Sequence, residues 1–82
     1  MITLLFFAQL REQLQCEKIT LELQSSISIS LLREQIIASH PNWAEFLTND
    51  KLLFSVNQTL VKASHPINDG DEVAFFPPVT GG

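Results

Sequence analysis

Two strand patterns built almost entirely from apolar residues, one near each end of the chain, constrain the fold most. Residues 2–8 read Ile-Thr-Leu-Leu-Phe-Phe-Ala, and residues 72–76 read Glu-Val-Ala-Phe-Phe. The first pattern is typical of a central strand that is covered on both faces. The chain has 82 residues, which is enough for one domain. We therefore expect the two strands to lie side by side in the centre of a single sheet.

One amphipathic helix is predicted between these strands. Ser28 is the expected N-cap, because its hydroxyl can accept a hydrogen bond from an amide of the first helical turn. Ile29, Leu32 and Ile36 follow at helical spacing and form the stripe that faces the core. Pro41 ends the helix, since the residue before a proline avoids helical angles.

The remaining patterns are shorter. Residues 17–23 alternate strictly between polar and apolar side chains, which predicts a half-buried strand. Residues 51–57 predict another strand, and Asn57-Gln58 at its end predicts a tight turn. The other expected elements are helical turns at 10–14 and 43–47, an edge segment at 59–62 and a turn at 68–71.

This order of elements predicts an α+β fold. Connections between parallel strands are right-handed, so the chain has few compact solutions. The natural one is a β-grasp fold, a mixed sheet with one main helix packed across it. We assign residues 1–76 to the β-grasp domain and residues 77–82 to an extended C-terminal tail.

The composition argues against several classes of function. Nine acidic and five basic side chains give a net charge of −4, whereas non-specific nucleic-acid binding requires a basic face. The first residues lack a basic signal-peptide region, and no apolar run approaches the ~20 residues that span a bilayer. We expect a cytoplasmic protein with no nucleic-acid or membrane partner.

Residues for a conventional active site are scarce. His40 and His65 each precede a proline and have no Cys or carboxylate at ligand spacing, so no metal site is predicted. Cys16 is the only cysteine, which rules out an internal disulfide, and no histidine is near it in sequence. No phosphate-binding loop or catalytic triad order is present. We expect a chain that is not catalytic alone and binds no cofactor.

The C-terminal tail is the candidate functional site. Pro77 cannot donate to a sheet ladder, and Pro77-Pro78 favours an extended path away from the sheet. Gly81 and Gly82 lack Cβ atoms, so a narrow channel in another protein can admit them. Fully extended, the tail reaches about 20 Å and ends in the carboxylate of Gly82. The alternative is a frayed terminus, which the Pro-Pro pair and the preceding apolar strand disfavour.

An excess of apolar residues on the sheet is the second indication of function. If one face of the first and last strands packs on the helix, alternation turns their other side chains to the opposite face. A single helix leaves that face open, so we expect a partner protein to cover it. The competing interpretation is that the short helix at 43–47 folds over it. The residues assigned to this second face are Leu5, Phe7, Leu60, Ala74 and Phe76.

Three segments resemble the small subunits of molybdopterin synthase, a family of sulfur carriers. Residues 5–12 (Leu-Phe-Phe-Ala-Gln-Leu-Arg-Glu) are similar to the family's opening signature, and residues 56–61 (Val-Asn-Gln-Thr-Leu-Val) to its central motif. Residues 69–82, which end in Phe-Phe-Pro-Pro-Val-Thr-Gly-Gly, resemble the family's ending nearly throughout. The resemblance covers the chain in length and order, but residues 16–50 match in pattern more than in identity.

The resemblance implies a fold and a reaction. Family members are ubiquitin-like β-grasp proteins. An activating enzyme uses ATP to form an acyl-adenylate on the terminal glycine, here Gly82, and sulfur transfer then gives a thiocarboxylate. Gly81 lets the tail thread into the large subunit of a heterotetrameric synthase, where two such sulfurs convert cyclic pyranopterin monophosphate into molybdopterin. The residues expected to contact the partner are Phe7, Leu60, Phe76, Pro77, Pro78, Val79 and Thr80.

Three other functions remain open at this stage. A thiamine-pathway sulfur carrier shares the fold and the Gly-Gly end, although residues 6–8 and 75–78 argue against it. A protein modifier would instead form isopeptide bonds through Gly82. A plain interaction module would not use its tail at all. The chemical fate of Gly82 discriminates among these functions.

Overall fold

The computed structural model describes residues 1–78, which form seven strands and three α-helices. The strands are β1 (Ile2–Phe6), β2 (Lys18–Leu21), β3 (Ile27–Ser28), β4 (Leu53–Val56), β5 (Thr59–Val61), β6 (Pro66–Ile67) and β7 (Glu72–Phe76). The helices are α1 (Ala8–Leu14), α2 (Ile29–Ser39) and α3 (Ala44–Leu47), and a 3-10 turn at Pro41–Trp43 precedes α3. Within residues 1–78, no helix is both long and apolar enough to cross a membrane.

The two most apolar strands lie side by side in the middle of the main sheet. This sheet has five strands in the order β2-β1-β7-β4-β5. β1 and β7 run parallel, with Leu4 opposite Val73 and Phe6 opposite Phe75. The other pairs in this sheet are antiparallel. The predicted mixed sheet of an α+β, β-grasp fold is therefore confirmed.

A single hydrophobic core lies between one face of this sheet and the helices. Ile2, Leu4 and Phe6 of β1 point into it, and Val73 and Phe75 of β7 lie beside them, all at most 1% exposed. Within residues 1–78 no polar or charged residue is buried in this core. The helices and the 3-10 turn contribute Leu10, Leu14, Ile29, Leu32, Ile36, Trp43 and Leu47.

The beginning of α2 matches the sequence prediction. The Ser28 hydroxyl oxygen accepts a hydrogen bond from the Leu31 amide at 3.1 Å, so Ser28 is the N-cap. At the other end, His40 is the C-cap, and its ring stacks on Trp43 with a centroid distance of 4.0 Å. Pro41 opens the 3-10 turn, where its missing amide hydrogen costs no hydrogen bond.

Several element boundaries differ from the prediction. β1 ends at Phe6 instead of residue 8, because Phe7 is the N-cap of a helix that is longer than the predicted turn at 10–14. The strand predicted at 51–57 begins only at Leu53. An Asn49 turn precedes it, in which the Asn49 side chain accepts from the Lys51 amide at 2.9 Å. The strand predicted at 17–23 is likewise reduced to β2.

A small second sheet, which the sequence analysis did not predict, holds the start of α2. β3 pairs with β6 in antiparallel orientation, with Ile27 opposite Ile67. The amide of Ile29 donates to the His65 carbonyl oxygen at 3.1 Å, and the amide of Ser30 donates to that of Ala63 at 2.8 Å. These bonds satisfy amides that a helix start leaves without an internal partner.

The competing interpretation, in which residues 43–47 cover the second face of the sheet, is wrong. Trp43 packs edge-on against Phe6 with a centroid distance of 5.5 Å, on the core side. Leu47 is fully buried in the same core. The described residues therefore cover only one face of β1, although the sequence predicted a strand that is covered on both.

Candidate functional site

The second face of the main sheet, opposite the helices, carries side chains in three rows across the strands. We call it the open face. Its middle row follows from the pairing register, which places Leu5 opposite both Lys18 and Ala74, and Ser55 opposite both Ala74 and Leu60. Alternation directs these side chains away from the core. From β2 to β5, the middle row is Lys18, Leu5, Ala74, Ser55 and Leu60.

The row nearest the tail is the most apolar. Phe76, the last residue of β7, lies opposite Leu53 of β4, and both are half-buried. Phe7 lies just beyond β1, where its amide donates to the Phe75 carbonyl oxygen at 3.3 Å. Its backbone is extended (φ −120, ψ 161), so the alternation continues and turns the Phe7 side chain toward the open face.

The row farthest from the tail is polar. Thr3 lies opposite Thr20 on one side and Glu72 on the other. Thr20 and Glu72 are exposed, and Thr3 is half-buried. The open face therefore changes from apolar to polar along β7, with its apolar end at the beginning of the tail.

The structure brings together the five apolar residues that alternation assigned to this face. Leu60 is 64% exposed and Phe7 is 44% exposed, so the open face presents large apolar side chains to solvent. Leu5 and Phe76 are half-buried, and Ala74 is only 5% exposed between its neighbours. The shared face is confirmed, whereas its contact with a partner stays a prediction.

Leu53 is a further member of the open face that was not predicted from the sequence. The signal was present, because alternation along residues 51–57 turns Leu53 away from the face of Leu52, Phe54 and Val56. Those three residues are indeed buried in the core. The pairing of β4 with β7 is what places Leu53 beside Phe76.

The end of the sheet opposite the tail is closed by a hydrogen-bonded cluster around Asn57. The Asn57 side chain accepts from the Glu72 amide at 3.0 Å and donates to the Asp71 carboxylate at 3.0 Å. The other carboxylate oxygen of Asp71 accepts from the Asn68 amide at 2.8 Å. Asn57 and Gln58 both have positive φ, so the predicted tight turn has the two left-handed residues of a type I′ hairpin.

The tail begins within the described residues and continues beyond them. Pro77 and Pro78 follow β7 without joining a strand, and both are half-buried. Four residues that were predicted to enter the partner and to carry the reaction lie outside the described residues. They are Val79, Thr80, Gly81 and Gly82.

The other residues considered as candidate ligands or nucleophiles do not form a site. Cys16 is half-buried, and its sulfur lies 3.7 Å from the Lys18 carbonyl oxygen. His40 stacks on Trp43, and His65 is exposed. In the part of the chain that the structure describes, no three His, Cys, Asp or Glu residues are arranged to hold a metal ion.

A mixed sheet with helices on one face, an apolar open face and a Pro-Pro segment leading to Gly-Gly define a ubiquitin-like β-grasp protein with a C-terminal tail. The chain belongs to the ThiS family, whose model matches residues 4–82. The tail therefore lies inside the region that defines the family.

Two curated relatives align with the whole chain. The molybdopterin synthase sulfur carrier subunit of Escherichia coli K12 is 49% identical over 82 residues, covering all of both chains. The protein of the same name from Haemophilus influenzae is 43% identical, again over the full length of both. The resemblance drawn from the sequence motifs is confirmed.

Solved structures agree on the fold. SAMP1 of Haloferax volcanii has a TM-score of 0.82 at 21% identity, and the alignment covers 99% of this chain and 98% of that one. A complex of subunits 1 and 2 of molybdopterin-converting factor from Helicobacter pylori contains a chain with a TM-score of 0.68 at 24% identity. That alignment covers 99% of this chain and 97% of the Helicobacter pylori chain.

Proposed function

We propose that this chain is the sulfur carrier subunit of a molybdopterin synthase. The observation that carries the proposal is the 49% identity, over the entire length of both chains, with the Escherichia coli protein of that name. Both curated relatives described above bear the molybdopterin synthase name, which favours this function over the thiamine-pathway carrier.

The reaction takes place at the carboxylate of Gly82. A carboxylate is a poor electrophile, so a separate activating enzyme first joins it to the AMP part of ATP and releases pyrophosphate. A sulfur donor then displaces AMP, and the carboxylate becomes a thiocarboxylate. The carrier chain supplies the reacting carbonyl group, whereas ATP binds to the activating enzyme.

The carrier's own contribution is to present this group to a partner. β7 ends at Phe76, and Pro77-Pro78 directs the chain out of the sheet. Gly81 and Gly82 have no side chains that would block a narrow channel. Held in such a channel, the thiocarboxylate reacts at the high effective concentration that positioning provides.

The partner in this proposal is the synthase large subunit, which converts cyclic pyranopterin monophosphate into molybdopterin with two such sulfurs. Its docking site is the apolar end of the open face, where Phe7, Leu60 and Phe76 are available. The partner also contacts the tail residues Pro77, Pro78, Val79 and Thr80. The structurally similar Helicobacter pylori chain was solved in a complex of subunits 1 and 2 of molybdopterin-converting factor, which supports a second subunit as the partner. A heterotetramer of two carriers and two large subunits is the expected assembly.

The proposed compartment is the cytoplasm. Cys16 is the only cysteine of the chain, so no internal disulfide can form, which suits a reducing environment.

The test is the intact mass of the protein after incubation with a molybdopterin-synthase activating enzyme, ATP and a sulfur donor. We expect a gain that matches exchange of one oxygen for sulfur, located at Gly82 by fragmentation. An unchanged mass, with the enzyme active on a control carrier, would contradict the proposal. Stable adducts with the lysines of many proteins would instead identify a modifier.

A further inference from the structure

The pairing register gives Phe76 one direct apolar neighbour on β4, and that neighbour is Leu53. Directly opposite residues in an antiparallel pair have Cβ atoms about 5 Å apart, so their side chains form one surface. Leu53 is half-buried on the open face, while the residues on either side of it, Leu52 and Phe54, are in the core. The open face therefore has a continuous apolar surface across β7 and β4.

This surface lies where the tail leaves the domain. Gly82 lies four residues beyond Pro78, and four residues span at most about 14 Å when fully extended. A protein that receives Gly82 in a channel must therefore have the channel mouth close to Phe76. Its surface around the mouth then lies against the adjacent rows of the open face.

The far end of the open face does not fit such a contact. Thr20 and Glu72 are exposed and polar, and Glu72 carries a charge that is costly to bury without a partner. The apolar residues of the open face lie in the two rows nearest the tail, and the middle row also carries Lys18 at its β2 end and Ser55 on β4. An apolar partner surface thus matches the tail end of the face and stops before the row of Thr3, Thr20 and Glu72.

We propose that Leu53 is a docking residue for the tail-accepting large subunit and that the contact ends between the middle row and this polar row. The inference rests on the proposed function, because it takes the large subunit as the occupant of the open face. It adds a residue on β4 and a boundary to the docking site.

The experiment compares binding of the large subunit to matched variants by titration calorimetry. Leu53→Thr removes apolar surface and introduces a β-branched residue that suits a strand. We expect it to raise the dissociation constant about tenfold, because the contact with the partner loses most of the apolar surface that Leu53 would bury. Leu53→Ile, which restores the apolar surface, should bind within about twofold of the wild type.

Two control variants test where the contact lies on the carrier. Leu31 is also a leucine that is largely exposed, at 41%, but it lies on α2, on the other side of the molecule. Leu31→Thr should leave the dissociation constant unchanged. Thr20→Gln lengthens a side chain in the polar row, and unchanged binding is expected if the contact stops before that row. Weaker binding of Thr20→Gln would overturn the boundary.

The outcomes separate this inference from the proposed function. If Leu53→Thr binds like the wild type while Phe76→Asp binds poorly, Leu53 is outside the contact and the inference fails alone. If the wild-type chain itself does not bind the large subunit, the proposed function fails. Methyl NMR of the wild type gives a second measurement that needs no variant. The Leu53 methyl signals should shift or broaden on complex formation, and unchanged signals would overturn the inference.

Discussion

Asn57 connects three parts of the chain that are distant in sequence. It directly follows β4, holds the start of β7 through the Glu72 amide and holds the 68–71 turn through Asp71. The turn itself contains Gly70 at a φ of +92, an angle that other residues rarely adopt. One side chain therefore sets the geometry of the sheet end that lies opposite the tail.

Replacing Asn57 with Ala should destabilise the domain. Two side-chain hydrogen bonds are lost, one of them to a carboxylate, so we expect the free energy of unfolding to fall by about 1–2 kcal/mol. Urea unfolding measures this as a lower midpoint at constant slope. Gln58→Ala is the matched control, because Gln58 has a similar positive φ and its side chain makes no hydrogen bond within residues 1–78. Equal losses in both variants would assign the effect to the backbone.

Phe75 and Phe76 are adjacent in sequence but lie on opposite faces of the sheet. Phe75 is fully buried and packs edge-on against Phe54 at 5.1 Å, whereas Phe76 is half-buried on the open face. The same substitution at the two positions therefore has different consequences.

Phe75→Asp should abolish folding, since it places a carboxylate in the core without a partner. Phe76→Asp should keep the fold and weaken binding of the large subunit by about tenfold or more. Circular dichroism and a binding titration measure the two effects. An unfolded Phe76→Asp variant would show that Phe76 belongs to the core and that its exposure has no docking role.

At the scale of elements, α2 depends on its neighbours for its start. Ser28 belongs to β3 and is also the N-cap of α2, so the small β3–β6 sheet and the helix share this residue. The hydrophobic stripe of α2 then packs Ile29, Leu32 and Ile36 on the main sheet. A short helix of 11 residues is marginal in isolation, so its cap and its packing decide its stability.

Ser28→Ala should therefore lower the thermal stability. Loss of an N-cap hydrogen bond costs about 1 kcal/mol, which corresponds to a decrease in melting temperature of about 4–8 °C in a domain of this size. Differential scanning calorimetry measures the shift. Ser30→Ala is the control, because Ser30 lies inside the helix, where alanine is favourable. A melting temperature unaffected by Ser28→Ala would show that the cap contributes nothing measurable.

At the scale of the whole molecule, stability and function are located on different parts of the fold. The core and the Asn57 cluster hold the sheet, while the apolar residues of the open face and the tail are proposed to serve the partner. Pro77 and Pro78, the two tail residues that the structure describes, do not belong to the buried core. Changes at the end of the tail are therefore expected to affect sulfur transfer without affecting folding.

A short extension after Gly82 should abolish sulfur transfer and leave the melting temperature unchanged. The extension converts the terminal carboxylate into an amide, which cannot be adenylated. The measurement is the intact mass of the protein, which reports formation of the thiocarboxylate. A protease site placed directly after Gly82 provides the control, because cleavage should restore the reaction. Sulfur transfer by the uncleaved protein would contradict the terminal-carboxylate mechanism.

Local patterns in the sequence determined the central strands, the main helix and the tail motif of this protein. The apolar character of residues 2–6 and 72–76 predicts central strands, and the hydroxyl of Ser28 followed by Ile29, Leu32 and Ile36 predicts α2 and its core face. Both signals act over a few residues, since capping is a local hydrogen bond and amphipathicity is a local period. The tail motif is also local, and so the resemblance to a sulfur carrier could be seen in it.

Only the tertiary structure decided which surfaces those elements expose. The segment 43–47 lies on the core side because Trp43 packs on Phe6, a contact between residues that are far apart in sequence. The placement of Leu53 beside Phe76 depends on the register of β4 with β7. The β3–β6 sheet has two residues in each strand, too few to show a period. Pairing and packing are set by contacts between distant segments, and a pattern read along the chain does not contain them.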